Sequence, residues 1–270
     1  NFNSLLGTNA GTAITTGDSN VAVGRNALDA EVAGSLSVAV GVGTLTAQTN
    51  STATDVYNVA VGHGAGNAVT SGVENTLIGA LSGDALTDAD ENVAVGYGAL
   101  SADTKGGQSV AVGTFALLSQ NFTTTTSSYN VAVGDRAGRV ITTGTQNTLL
   151  GGLAGDALTD ADQNIAVGYR ALSNDTLGSK SVSIGNYSLG TQNFTTATDS
   201  FNVAVGHGAG ESVTTGVQNT IVGGLAGDAI TTGSYNITIG TNGGGGVTTG
   251  SQNILIGQGT GMGTLTGDLN

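Results

Sequence analysis

Cysteine, proline and tryptophan are absent from this 270-residue chain, and each absence removes a class of answer. Without cysteine there are no disulfide staples and none of the commonest structural zinc sites, so stability does not depend on a redox compartment. Six Tyr, five Phe and a charged fraction of 9% leave too few bulky core formers and surface charges for one thick globular core. Basic residues are scarce: six Lys and Arg against nineteen Asp and Glu give a formal net charge of −13. Nucleic acid and anionic membranes both reward clustered cations, and these six read as scattered along the chain, so neither is an expected partner. No apolar run approaches the roughly 20 residues of a spanning helix, so no membrane insertion is expected. No basic stretch leads into an apolar leader, and Asn3 to Gly7 already lie inside a repeat, which predicts an internal segment capped elsewhere.

What is present is repetition. The phrase Asn/Ser-x-x-aliphatic-Gly occurs fifteen times, ending at Gly7, Gly24, Gly41 and onward to Gly257. Steps between these glycines are 17 residues, except for three steps of 21 that end at Gly62, Gly134 and Gly206. A period of 72 residues therefore overlies the shorter one, at about 41–112, 113–184 and 185–256. Fixed short periods are the signature of stacked supersecondary units. The expected fold is all-β, a parallel β-roll or β-solenoid of fifteen rungs running as one continuous segment over 1–270.

Positions within a rung are counted from the motif glycine, taken as position 0. Position −1 is always a large aliphatic, and position −3 is Val, Ile or Thr in all rungs but that of Ser4. Residues two apart share a strand face, and their bulk predicts that this face is the interior. Position −2 is mostly Ala, with Leu77, Leu149, Ile221 and Leu255 elsewhere, so the opposite face is apolar too. A strand apolar on both faces expects cover on both. Position +3 carries small residues such as Ala65, Ala137 and Ala209, which predicts close backbone approach. An aliphatic at +7, as in Val69, Leu86 and Ile141, and a glycine at +10, as in Gly17, Gly72 and Gly144, read as a second strand and a turn of positive φ. Position −4 is Asn in twelve rungs, and Ser37, Ser109 and Ser181 in the others. Stacked Asn amides are expected to bond from rung to rung while satisfying turn backbone. Burying a few small aliphatics per rung falls short of the cost of ordering it, which predicts lateral packing of copies through the Ala/Leu/Ile face and the small-residue column.

The phrases Asn58-Val59-Ala60-Val61-Gly62 and Ser109-Val110-Ala111-Val112-Gly113 resemble rungs of the YadA-like head of trimeric autotransporter adhesins. Asn92-Val93-Ala94-Val95-Gly96-Tyr97-Gly98-Ala99-Leu100 and Asn164-Ile165-Ala166-Val167-Gly168-Tyr169-Arg170-Ala171-Leu172 resemble, more closely in spacing, repeats of phage tail-fibre proteins. The resemblance covers the whole chain. It implies a left-handed β-roll, three chains about one axis as a homotrimer, and exposure on a virion or cell surface. The 17- and 21-residue rungs depart from the shorter adhesin pattern and favour the fibre.

Chemistry has few places to reside. The long rungs carry Thr-rich loops, and Tyr57, Phe122, Tyr129, Phe194 and Phe201 flank them. Such rings either pack or stand exposed for contact with a host glycan or receptor, since CH-rich sugar faces pair with π-surfaces. Asp88-Ala89-Asp90-Glu91 and Asp160-Ala161-Asp162 echo half a calcium loop but lack its Gly and distant Glu, so they read as solvated turns and no metal is expected. His63 and His207 occupy equivalent places whose intermediate is Asp135, and read as surface residues. No nucleophile–base–acid grouping can be assembled from two histidines and turn carboxylates, and Gly62-His63-Gly64 lacks the Lys of a phosphate loop. The expectation is a non-enzymatic chain without cofactor: the shaft of a trimeric tail fibre in a virion, joined to adjoining fibre segments and presenting a receptor-binding region. A bacterial surface adhesin is the alternative. An ice-binding solenoid, suggested by Thr142-Thr143, Thr214-Thr215 and Thr248-Thr249, ranks third.

Overall fold

The structure is a computed structural model and describes residues 2–263 and 267. Fifteen three-residue strands stack in parallel, about 17 residues apart, as a β-solenoid, and no helix occurs among the described residues. The chain divides into two compact units, Asn1–Asn130 and Val131–Asn270. The first holds the strands from Ser4–Leu6 to Val110–Val112, and the second those from Val131–Val133 to Ile254–Ile256. Within each unit the register is unbroken, as in Val59↔Thr76, Ala60↔Leu77, Val61↔Ile78 and in Thr148↔Ile165, Leu149↔Ala166, Leu150↔Val167.

The interior lies on the side opposite to the one bulk suggested. Ala22, Ala60, Leu77, Leu149 and Ile221, all at −2, are wholly buried, while the β-branched residues at −3 and −1 face outward. The small +3 column, including Ala65, Ala137 and Ala209, is buried as well, so neither column predicted to meet another copy is available for it. The space enclosed by a rung is narrow, and small side chains on its strand leave room for the larger ones that enter from the turn. Alternation says which residues share a face; rung width decides which face is inside.

Two kinds of rung fill that space. In eight, position +4 is Gly and +7 is aliphatic, as in Gly66 with Val69 and Gly155 with Leu158. In six, +4 is Leu and +7 is an acid or Gln: Leu28 with Glu31, Leu45 with Gln48, Leu100 with Asp103, Leu117 with Gln120, Leu172 with Asp175, and Leu189 with Gln192. A Cβ added to Gly155 would lie 2.8 Å from both Leu149 and Leu158, so one site takes a side chain only when the other gives up its bulk. The six leucines are fully buried although their backbone is left-handed, as at Leu28 (φ 53°) and Leu117 (φ 48°).

The motif glycines answer to two constraints. Gly62 has φ +139°, and a Cβ there would meet the Gly79 carbonyl oxygen at 2.5 Å. The +10 glycines, by contrast, do not have the positive φ expected of them. At Gly72 the constraint is stacking alone, since an added Cβ would sit 2.4 Å from Ala89 O. Nor does +7 open a regular second strand. Isolated backbone bonds link this side, for example Thr70 N–H to Thr87 O at 2.8 Å and Gly72 N–H to the same oxygen at 3.3 Å. Two-residue pairings occur only beside the long rungs, where Gly34–Ser35 meets Thr54–Asp55, Gly106–Gly107 meets Thr126–Ser127, and Gly178–Ser179 meets Thr198–Asp199.

The Asn column behaves as expected. Asn75 N–H donates to Asn58 Oδ1 at 2.9 Å and Asn92 N–H to Asn75 Oδ1 at 3.0 Å, while Asn75 Nδ2 donates to Ala89 O at 2.8 Å. Each amide therefore joins the rung before it to the turn after it, and satisfies backbone groups that burial would otherwise strand.

Candidate functional site

The long rungs are held by buried polar networks that column-by-column reading of the sequence did not find. Asp103 Oδ1 accepts the backbone N–H groups of Gly106 and Phe122, both at 3.0 Å. Gln120 Nε2 donates to Asp103 Oδ2 at 2.6 Å and to Ser109 Oγ at 2.8 Å, and its Oε1 accepts from Asn130 Nδ2 at 2.9 Å. Asp175, Gln192, Ser181 and Asn202 repeat the arrangement, and Glu31, Gln48, Ser37 and Asn58 form the first version of it. Four extra residues interrupt the regular backbone bonding, and the buried acid supplies the acceptors that the longer turn needs.

This network decides the fate of the five aromatic candidates. Phe122 and Phe194 receive their backbone bonds from it and are only 6% exposed, so they are core residues and not contact residues. Tyr57, Tyr129 and Phe201 stand 51%, 53% and 48% exposed on a column of left-handed residues at −5. Glu74, Glu91 and Gln108 occupy that column between Tyr57 and Tyr129, so these two rings do not form one platform. Lys180 Nζ lies 5.4 Å from the Phe201 ring centroid while bonding Asp199 at 2.6 Å, and so covers part of that ring.

The remaining motifs are turned toward their own neighbours. Asp90 accepts from Val73 N–H at 2.9 Å, and Asp162 from Thr145 N–H at 2.7 Å. Among the described residues no three Asp, Glu or His gather into a group able to hold a metal. His63 and His207 are exposed, the latter 6.4 Å from the Tyr187 ring. Thr142 and Thr214 donate their hydroxyls to Thr159 O and Thr231 O of the next rung, which leaves an ice-facing array without half of its Thr pairs.

One grouping lies where basic residues read as scattered. Arg136, Leu153 and Arg170 follow one another at +2 in three successive rungs of the second unit, with Arg139, Asp156 and Ser173 at +5 beside them. Arg139, Leu153, Asp156, Arg170 and Ser173 border a groove of about 450 Å³, and a second hollow, lined also by Arg136, adjoins it. Burial pushes the Asp156 carboxyl up from its ordinary value, and the guanidinium groups of Arg139, Arg170 and Arg136 offset only part of that shift. Three of the chain's six cations thus share one surface. Placing the arginines on the rung register, instead of along the chain, would have shown it.

A broader surface runs along the outward strand face of each unit. It includes Val61 and Ile78 in the first, and Val133, Leu150, Ile184 and Ile239 in the second, with Ile78 40% and Ile239 38% exposed. Aliphatics left partly or largely exposed from rung to rung are unusual on a monomeric protein, where such patches stay small. The chain matches no protein-family model, no curated protein and no solved structure.

Proposed function

We propose that this chain is a non-enzymatic structural segment of a shaft built from three parallel copies, a tail fibre or related appendage of a phage particle that holds a receptor-binding region at a distance. One observation carries the reading: the outward sheet face is a ladder of Val, Ile and Leu at −1 and mostly Val, Ile or Thr at −3, which the chain itself leaves half-buried to exposed. Parallel sheets are ordinarily covered on both faces, and hydrophobic cover is the largest stabilising contribution available to rungs this thin. A second and third copy, presenting the same ladder, supply that cover in register. The count of three and the attribution to a virion follow from the resemblance of the rungs to fibre and adhesin repeats.

Sedimentation equilibrium tests the association. The expected mass is three times the 26.2 kDa of one chain. Replacing Val61 and Ile78 together by Lys, which puts charge on the ladder without touching the interior, should shift the species toward monomer. A wild-type chain that stays folded and monomeric at micromolar concentration overturns the reading.

A further inference from the structure

The Arg136–Arg139–Arg170 groove is not explained by the fold. The 72-residue period places Gly64, Asn67 and Gly98 at the equivalent positions one period earlier, and Gly208, Glu211 and Asn242 one period later. Backbone conformation there is the same, with φ 55° at Arg136 and 66° at Gly64, and 56° at Arg170 and 62° at Gly98. A rung therefore closes without arginine, and in fact left-handed backbone is less comfortable for arginine than for glycine. Asp156, in contrast, has counterparts in Asp84 and Asp228 and belongs to the repeat. The three cations are additions to a shared frame, and they fall together in a chain of net charge −13.

The donors of Arg139 and Arg170 are free for a ligand. The ion pairs among the described residues are Lys105–Asp88, Arg136–Asp135 and Lys180–Asp199, so Arg139 and Arg170 have no carboxylate partner within 4.0 Å. Arg170 rests with its guanidinium carbon 5.6 Å from the Tyr169 ring centroid, which limits where that group can point. Three guanidinium groups against the carboxylates of Asp135 and Asp156 leave this surface with a formal excess of one positive charge. Ser173 and Asn174, which also line the groove, make no side-chain hydrogen bond among the described residues, and Leu153 adds an apolar side chain at +2 between Arg136 and Arg170.

We propose that this groove binds an acidic saccharide, its carboxylate held by Arg139 and Arg170 and its hydroxyls by Ser173 and Asn174. A planar guanidinium matches a carboxylate in a two-bond fork, and the adjoining hydroxyl and amide answer ring hydroxyls. The volume suits about one sugar ring, at the small end of ligand sites. The residues of the site all lie within one unit.

Titration of the full chain with D-glucuronate, followed by calorimetry or ligand-observed NMR, tests it, with D-glucose and inorganic phosphate as controls. Saturable glucuronate binding is expected, about tenfold tighter than either control. The triple variant R136G/R139N/R170G takes its residues from the preceding period and is built to fold, as an unchanged melting curve will show. It should lose at least about tenfold in glucuronate affinity, and Arg139→Asn alone about fivefold. No saturation by glucuronate, full affinity in the triple variant, or phosphate binding as tightly as glucuronate would each overturn the proposal.

Discussion

The rung that starts at Gly151 and the one that starts at Gly168 enclose the same width with different means. In the first, Gly155 leaves its place empty and Leu158 fills the interior; in the second, Leu172 comes in three residues earlier and the vacated place holds Asp175. The dry version needs only apolar contact and occupies the rungs that neither contain nor directly precede a 21-residue step. The wet version comes in pairs, an acid rung followed by a Gln rung, and the Gln rung of each pair is the 21-residue one. The difference teaches what a solenoid must do to lengthen one coil. Interior volume is conserved by moving a leucine, at a cost of roughly 1 kcal/mol for left-handed backbone, and the freed place takes a side chain that can accept what the longer backbone donates.

If the buried acid has that role, removing it should hurt far more than removing any dry-rung methyl group. Asp103→Ala leaves the N–H groups of Gly106 and Phe122 without an acceptor and takes one of the two acceptors of the Gln120 amide. A loss of about 4 kcal/mol or more is expected in urea unfolding. A loss under about 1 kcal/mol would mean that water replaces the carboxylate and that the wet rung is not organised by it. The aromatics sharpen the same contrast at smaller scale. Phe122→Ala should cost about 3 kcal/mol as a core truncation, and Tyr129→Ala under about 0.5 kcal/mol as an exposed one. Equal losses would break the division between them.

How much of this was legible in the sequence differs from feature to feature. The rung count, the parallel stacking and the role of the Asn column follow from spacing alone, because a stacked repeat places identical residues on one another. The inward face did not follow. Val at −1 is larger than Ala at −2, and size was taken as a sign of burial, but the closed interior is completed by residues from the turn that alternation does not see. The exchange between +4 and +7 was present in the letters, Gly with Leu158 against Leu172 with Asp175, and shows only when the two columns are compared rung by rung. Phe122 and Phe194 were grouped with Tyr57, Tyr129 and Phe201 by proximity to the long loop. Phe122 shares its register with Asn50, which makes its own buried bonds to Glu31, and that correspondence points inward.

The smallest expected effect compares two acids, one from each kind of rung. Glu31 belongs to a wet rung: burial acts to raise its pKa, but bonds from the Asn50 and Gln48 side chains and from the Gly34 and Asn50 N–H groups together outweigh it and hold the carboxyl below its ordinary value. Asp84 belongs to a dry rung, where burial raises its pKa and Oδ1 has no hydrogen-bond partner. With a depressed folded pKa, Glu31 contributes stability above its unfolded value that disappears as pH falls through the folded one. With a raised folded pKa, Asp84 contributes stability below its unfolded value that disappears as pH rises through the folded one. Melting curves of wild type, Glu31→Gln and Asp84→Asn across about pH 3 to 7 separate the two. At neutral pH the Gln variant should be less stable than wild type by roughly 1–2 kcal/mol, and the Asn variant more stable by less than about 1 kcal/mol. Both differences should shrink toward acid, from opposite sides. If they share a sign at neutral pH, the donors around Glu31 are not what distinguishes a wet rung from a dry one.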